Sequence, residues 1–238
     1  MKIQQQIKAV IFPKLCPVCS QIIKADESLC KKCASLLIYP SDKKGACKIC
    51  SLTRELCPCG KHIYYSRLAS PFIFRGDVRR ALHRIKFRNK TDKIEAFAKI
   101  TADSITARGI DSLTDFVTFI PMSDSAFGKR GYNQAQLLAQ KISEHINKPC
   151  LSVLLKLRET PTQHSLPMHR RRGNLLGAFE VYPEEADKIK GKRILVIDDI
   201  VTGGMTMNEA AKTLLIFGAE EVFCAATAFS PPSTKKRK

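Results

Sequence analysis

Four consecutive β-favouring apolar residues, Ile194-Leu195-Val196-Ile197, stand immediately before two acids, Asp198 and Asp199. A short run that is apolar at every position is the pattern of a strand buried on both faces of a parallel sheet. The period then changes. Ala210, Ala211, Leu214 and Leu215 recur at helical spacing within Met207–Phe217, and Gly218 supplies the stop. The same alternation occurs earlier, where Phe116–Pro121 reads as a second buried strand. After the connection Met122–Tyr132 comes a helix over Asn133–Ile146 that presents Leu137, Leu138 and Ile142. Gly177–Tyr182 and Val222–Ala228 read as further strands. Strand and helix signals in alternation predict an α/β fold with a mostly parallel sheet flanked by helices.

Two regions break this pattern. Residues 1–62 have too few large apolar side chains to build a core, whereas the segment from 68 to 230 has enough for a full-sized domain. Residues 231–238, ending Lys235-Lys236-Arg237-Lys238, are too short and too charged to pack and read as a disordered basic tail. No apolar run reaches the length of a bilayer crossing. Met1–Phe12 lacks the apolar centre and small-residue cleavage site of a secretion signal, so the expectation is a cytoplasmic protein.

Eight of the ten cysteines fall in the first sixty residues. Cys16-x-x-Cys19 is followed by Cys30-x-x-Cys33, and Cys47-x-x-Cys50 by the tighter Cys57-x-Cys59. Without a secretion signal, such clustering points to metal rather than disulfides. Paired thiolates on tight turns make tetrahedral zinc sites, and metal binding supplies the folding energy that so small a module lacks. The expectation is a zinc ribbon, doubled if the second set closes. All eight ligands are committed, so the zinc is structural. Cys150 and Cys224 read as core residues.

Charge adds a partner class. Forty Lys and Arg against 22 Asp and Glu leave +18, more than solubility requires, and such an excess captures polyanions. Within residues 75–93, Val78, Leu82 and Ile85 form one helical stripe, while Arg80, Arg84 and Arg88 form another, with Lys86 nearby. A solvated face and a phosphate-backbone contact both fit this stripe. Contact of that kind would be largely indifferent to sequence and would suit single-stranded nucleic acid. Thr160–Gly173, containing Arg170, Arg171 and Arg172, reads either as a mobile flap over an anion site or as a surface loop.

The segment from Asp198 through Thr206 carries the sharpest chemistry. Glycines at 203 and 204 let backbone approach a phosphate, the following helix start offers N–H groups and positive dipole, and Thr202 and Thr206 add hydroxyls. Asp198 and Asp199 repel a phosphate but suit ribose hydroxyls or a magnesium ion. The sequence is neither a Walker A loop nor a dinucleotide fingerprint. It resembles the phosphoribosyl pyrophosphate signature of type I phosphoribosyltransferases. That resemblance implies that Asp198 and Asp199 meet the ribose as the catalytic pair. Thr202, Gly203, Gly204, Met205 and Thr206 would hold the 5-phosphate, and Lys129 and Arg130 would face pyrophosphate. Many members have Thr-Thr-Gly where this chain has Thr202-Gly203-Gly204, which implies a weaker hold on phosphate.

Arg130-Gly131-Tyr132-Asn133-Gln134, the stretch Arg158–Phe179, Leu82–Phe87 and the cysteine module together are similar to the ComF, or ComFC-type, family of competence proteins. This resemblance implies a role on the cytoplasmic side, at the inner face of the membrane, in bringing single-stranded DNA in during natural transformation. Its implied partners are helicase-like and recombination proteins. The alternative it leaves open is an active, magnesium-dependent phosphoribosyltransferase with an unknown acceptor.

Overall fold

In a computed structural model of the chain, the described residues are 13–39, 46–53, 56–57, 59, 62–88, 93–157 and 177–231, with side chains 86–88 excepted. Arg170, Arg171, Arg172 and the tail 232–238 lie outside them, as do the side chains of Lys86 and Arg88.

The strands are β1 (Arg67–Ala69), β2 (Phe72–Ile73), β3 (Phe116–Phe119), β4 (Leu154–Lys156), β5 (Phe179–Val181), β6 (Arg193–Thr202) and β7 (Glu221–Ser230). The helices are α1 (Lys31–Ala34), α2 (Gly76–Arg88), α3 (Ile94–Thr106), α4 (Asp124–Arg130), α5 (Gln134–His145), α6 (Ala186–Ile189) and α7 (Met205–Ile216). The main sheet runs β1-β7-β6-β3, with β2 also on β7, and every pair in it is parallel. β4 and β5 form a separate antiparallel pair.

β6 and β7 are the long inner strands, paired from Arg193↔Glu221 to Thr202↔Ser230. Ile194 to Ile197 are fully buried, because helices cover both faces. On one face α2, α3 and α5 bring Leu82, Ile85, Phe97, Ile105, Leu138 and Ile142 against Leu195, Ile197 and Phe223. On the other, α7 brings Met207, Ala210, Ala211 and Leu214 against Ile194, Val196 and Cys224, with Val181 of β5 alongside.

The expected order of elements holds, with three changes. The strand expected to stop at Ile197 continues through both acids to Thr202, because β7 offers a partner over the whole length. The second helix starts at Met205 rather than Met207, which places Met205 and Thr206 in its first turn. α1, α3, α4, α6, β1, β2 and β4 were not expected. Within the described residues, no helix is long and apolar enough to cross a membrane.

The two cysteine turns do not form a core of their own. Cys16, Val18, Ile23, Leu29 and Cys33 belong to the α2–α3–α5 cluster, and Cys50 and Leu52 to the α7 cluster. Burial of Leu195 at the sheet centre is complete. Leu195→Ala is therefore expected to destabilise the zinc-loaded protein by about 3 kcal/mol, the middle of the range for such truncations. Urea unfolding followed by circular dichroism measures it.

Candidate phosphate turn and metal centres

β3 and β6 are in register from Phe116↔Ile194 to Phe119↔Ile197, and the Ile120 N–H continues the ladder to the Ile197 carbonyl at 2.9 Å. β3 then ends while β6 runs on, so Asp198 and Asp199 overhang the carboxyl edge of the sheet, where open α/β folds place ligands. The two carboxylates diverge. Asp198 accepts a hydrogen bond from the Asp199 N–H at 2.8 Å and stands near Cys224, whose thiol is held well above its ordinary range by burial first and by Asp198 second. Asp199 borders a cavity of ≈ 10 Å³, about one water, together with Leu82, Ile85, Phe97, Gln134 and Leu138.

Gln134 is only 3% exposed, and its Nε2 has no hydrogen-bond partner among the described residues. Its Oε1 accepts from Arg130 at 3.5 Å. At the start of α5, Gln134 thus bonds Arg130 and lines the same small cavity as Asp199. Asn133 caps that helix: its side chain accepts from the Ala135 N–H at 3.0 Å and donates to the Ile120 carbonyl at 3.0 Å. Lys129 is exposed one residue before Arg130 at the end of α4. Gln134 had no role assigned from sequence. Its burial at a helix start beside an acid is a property of the fold.

After Thr202 the chain reverses through Gly203 and Gly204, both left-handed at φ 73° and 70°. Two such residues in succession favour glycine strongly, since a side chain there meets its own backbone. The departure from Thr-Thr-Gly is therefore built into this turn. Gly204 is the N-cap of α7 and contributes no side-chain cap. Its carbonyl accepts the first helical bond from the Asn208 N–H at 2.9 Å. The turn thus combines exposed glycine, helix dipole and flanking threonines.

The eight N-terminal cysteines assemble into two tetrads, Cys16/Cys19/Cys30/Cys33 and Cys47/Cys50/Cys57/Cys59, each with its sulfurs within 4.8 Å of one another. Cys19 and Cys30 are 3.5 Å apart, as are Cys50 and Cys57. A tetrahedral zinc with ~2.3 Å bonds needs sulfurs ~3.8 Å apart, so both sets fit the ion. The tighter Cys57-x-Cys59 closes its tetrad as well as the regular spacing does.

Both leading turns share one construction. Ser20 and Ser51 follow the second cysteine in the left-handed region, and each donates its N–H back to Cys16 or Cys47, at 2.9 and 2.7 Å. Electrostatics within each tetrad suit a cation. Burial raises the Cys16 thiol, but amide hydrogen bonds from Cys19, Cys30 and Val18 outweigh it and hold Cys16 at about 7. A hydrogen bond from Cys59 outweighs burial and holds Cys50 at about 5, whereas Cys57 is pushed to about 12 by burial and by the Cys50 charge. One thiolate per tetrad forms readily, and a bound dication would hold the rest in that form.

Each leading turn is also gripped by one arginine of the main domain. Arg84 donates to the Val18 carbonyl at 3.1 Å. Arg108, largely buried just beyond α3, donates to the carbonyls of Ile49 and Cys50 at 2.7 and 3.0 Å. Val18 and Ile49 occupy the same place in their turns, the third residue of Cys-x-x-Cys-Ser. Arg84 was expected on a nucleic-acid face; the structure gives it this docking contact. Arg80 pairs with Asp77 on the exposed side of α2, near Arg75 and Arg79, which are also exposed.

The phosphoribosyl transferase domain model matches residues 129–238. "DNA utilization protein YhgH" of Escherichia coli (strain K12) is 27% identical over 216 residues, spanning 87% of this chain and 87% of that protein. "Competence protein ComFC" of Bacillus subtilis is 24% identical over 215 residues, 82% of this chain and 80% of that protein. "Competence protein F" of Haemophilus influenzae is 34% identical over 111 residues, 46% and 48% of the two chains. Among solved structures, the glutamine phosphoribosylpyrophosphate amidotransferase from B. subtilis is 22% identical over 55% of this chain and 25% of that one, with a TM-score of 0.35, a distant likeness.

Arg108→Met strands the Ile49 and Cys50 carbonyls, and hydrogen bonds to a charged donor contribute about 1.5–3 kcal/mol each. Atomic absorption after dialysis against a mild chelator should find two zinc ions per wild-type chain and one in the variant. Gly203→Ala meets open space but a positive φ. It should cost about 1 kcal/mol of stability in thermal melts and leave both metals in place.

Proposed function

We propose that this chain, similar to competence and DNA utilization proteins and carrying a phosphoribosyl transferase domain match, is a ComF/ComFC-type protein that works in DNA uptake, binding single-stranded DNA along α2 and a phosphoribosyl group at Asp198–Thr206. One observation carries the second half: an acidic strand end that runs straight into a two-glycine turn at the uncapped start of a 12-residue helix. The anion is offered backbone donors and helix dipole, while the acids stand one strand-length back, clear of the phosphate and within reach of sugar hydroxyls.

In this reading Asp198 and Asp199 take the ribose hydroxyls, and Thr202 and Thr206 flank the 5-phosphate beside Gly203, Gly204 and Met205. Arg130, steadied by Gln134, faces the pyrophosphate with its magnesium. The DNA half rests on the net +18 and on the exposed Arg75, Arg79 and Arg80. Lys86 and Arg88 extend the same helix. Arg84, already bonded to Val18, is left out of this surface. The two tetrads serve as structural zinc sites that fix the N-terminal turns against the helices DNA would meet. The strand would then pass to helicase-like and recombination partners.

Fluorescence anisotropy of a labelled single-stranded oligonucleotide tests the DNA half. With about three phosphates neutralised, raising the salt from roughly 50 to 200 mM should weaken binding about twentyfold. Arg79→Ala with Arg80→Ala should flatten that dependence. Phosphoribosyl pyrophosphate with magnesium should bind in calorimetry, and Asp198→Asn with Asp199→Asn should weaken it at least about tenfold, the loss of hydrogen bonds to charged groups. Absence of DNA binding at low salt would refute the direct-binding role. Undiminished phosphoribosyl binding by the double Asn variant would refute the site.

A further inference from the structure

α7 begins at the phosphate turn, and its fourth residue does two jobs. The backbone N–H of Asn208 donates to the carbonyl of Gly204 at 2.9 Å, closing the first turn of the helix on the second left-handed glycine. The side chain of Asn208 reaches the other way. Its Oδ1 accepts from the Tyr64 N–H at 2.7 Å, and its Nδ2 donates to the His62 carbonyl at 3.1 Å. One amide therefore pairs with two backbone groups of the segment leaving the second cysteine tetrad, as a neighbouring strand would.

That segment is tied to the tetrad at close range. His62 follows Cys59 by three residues. Tyr65, three residues beyond His62, is buried at 2% exposure. Tyr65 and Cys50 share one apolar cluster with Met207, Ala210 and Ala211 on the inner face of α7. Lys212 lies over the Tyr64 ring at 5.9 Å. The first tetrad has no place in this arrangement: it packs on the opposite face of the sheet, against α2.

We propose that Asn208 is a positioning residue that couples the second tetrad to the phosphate turn, so that anion binding at Gly203–Thr206 and metal retention at Cys47, Cys50, Cys57 and Cys59 strengthen each other. The inference rests on the phosphoribosyl reading of that turn. Its physical content is simple. Ordering residues 62–64 on the closed tetrad holds both partners of the Asn208 amide, and the amide holds the first turn of α7, from which the donors for the anion project. Coupling of this kind is reciprocal: whatever metal does for the anion, the anion does for the metal.

Reciprocity supplies a test on the zinc-loaded full chain. Zinc release to a chromophoric chelator is followed with and without saturating ribose 5-phosphate, whose binding is measured separately by calorimetry. Two release phases are expected, one per tetrad. The ligand should slow one phase at least about fivefold, the low end of typical coupling, and leave the other unchanged. The unaffected phase is the internal control, since general stabilisation of the fold would slow both. In Asn208→Ala the ligand should still bind at saturation but lose its effect on release, whereas Lys212→Ala should retain it.

Equal release with and without ligand in the wild type, equal slowing of both phases, or a ligand effect that survives Asn208→Ala would each overturn the proposal. The wild-type comparison decides even if the variant does not fold. Failure of the wild type to bind ribose 5-phosphate in calorimetry would instead remove the phosphoribosyl reading, and this inference with it.

Discussion

The parallel ladder of β6 between β3 and β7 is the constraint from which the rest of the molecule follows. A strand paired on both sides and covered on both faces must be apolar, and Ile194–Ile197 are. β7 keeps pairing after β3 has stopped, so the strand can extend through Asp198 and Asp199 without losing its backbone bonds. The acids therefore sit at the edge of a rigid sheet rather than in a loop. The glycine turn and α7 are hung from the same strand, which fixes a potential sugar site and a potential phosphate site relative to each other. Rigid elements hold such geometry to tolerances that loops do not.

The cysteine tetrads fit this frame as extensions of the core. Each leading turn buries an apolar contribution in a different face of the sheet and hands a backbone carbonyl to an arginine from the main domain. A dication on four thiolates leaves a local charge of about −2, and Arg84 and Arg108 stand beside the two centres as countercharge as well as clamps. This explains why a segment poor in large apolar residues is nevertheless ordered around its cysteines. It also explains why Arg84, which lies on a basic stripe when the helix is drawn alone, is half-buried and bonded to a cysteine turn when the chain is folded.

Much of this was legible in the residues. Period-3.6 and all-apolar runs marked β3, β6, β7, α5 and α7, and spacing alone assigned all eight cysteines to two sets. The failures have physical causes. β1 and β2, three and two residues long, are too short to show alternation and exist because β7 offers an edge. Asp198 and Asp199 have poor strand propensity, so the true end of β6 was invisible until its partner was known. α3 carries a helical stripe in Ile94, Phe97, Ala98, Thr101 and Ile105, all buried. Gln134 stands in the Arg130–Gln134 motif without a role of its own being legible there, and Asn208 has no local signature; what each does comes from what the fold sets beside it.

The central claim is that the turn between β6 and α7 binds the phosphate of a phosphoribosyl group. Its most direct test is a set of backbone 1H–15N spectra of the zinc-loaded protein titrated with ribose 5-phosphate. The account predicts saturable shifts concentrated at the amides of Gly203, Gly204, Met205 and Thr206, with smaller changes at Asp198 and Asp199. Shifts confined to α2, or none anywhere at saturating ligand, would contradict it.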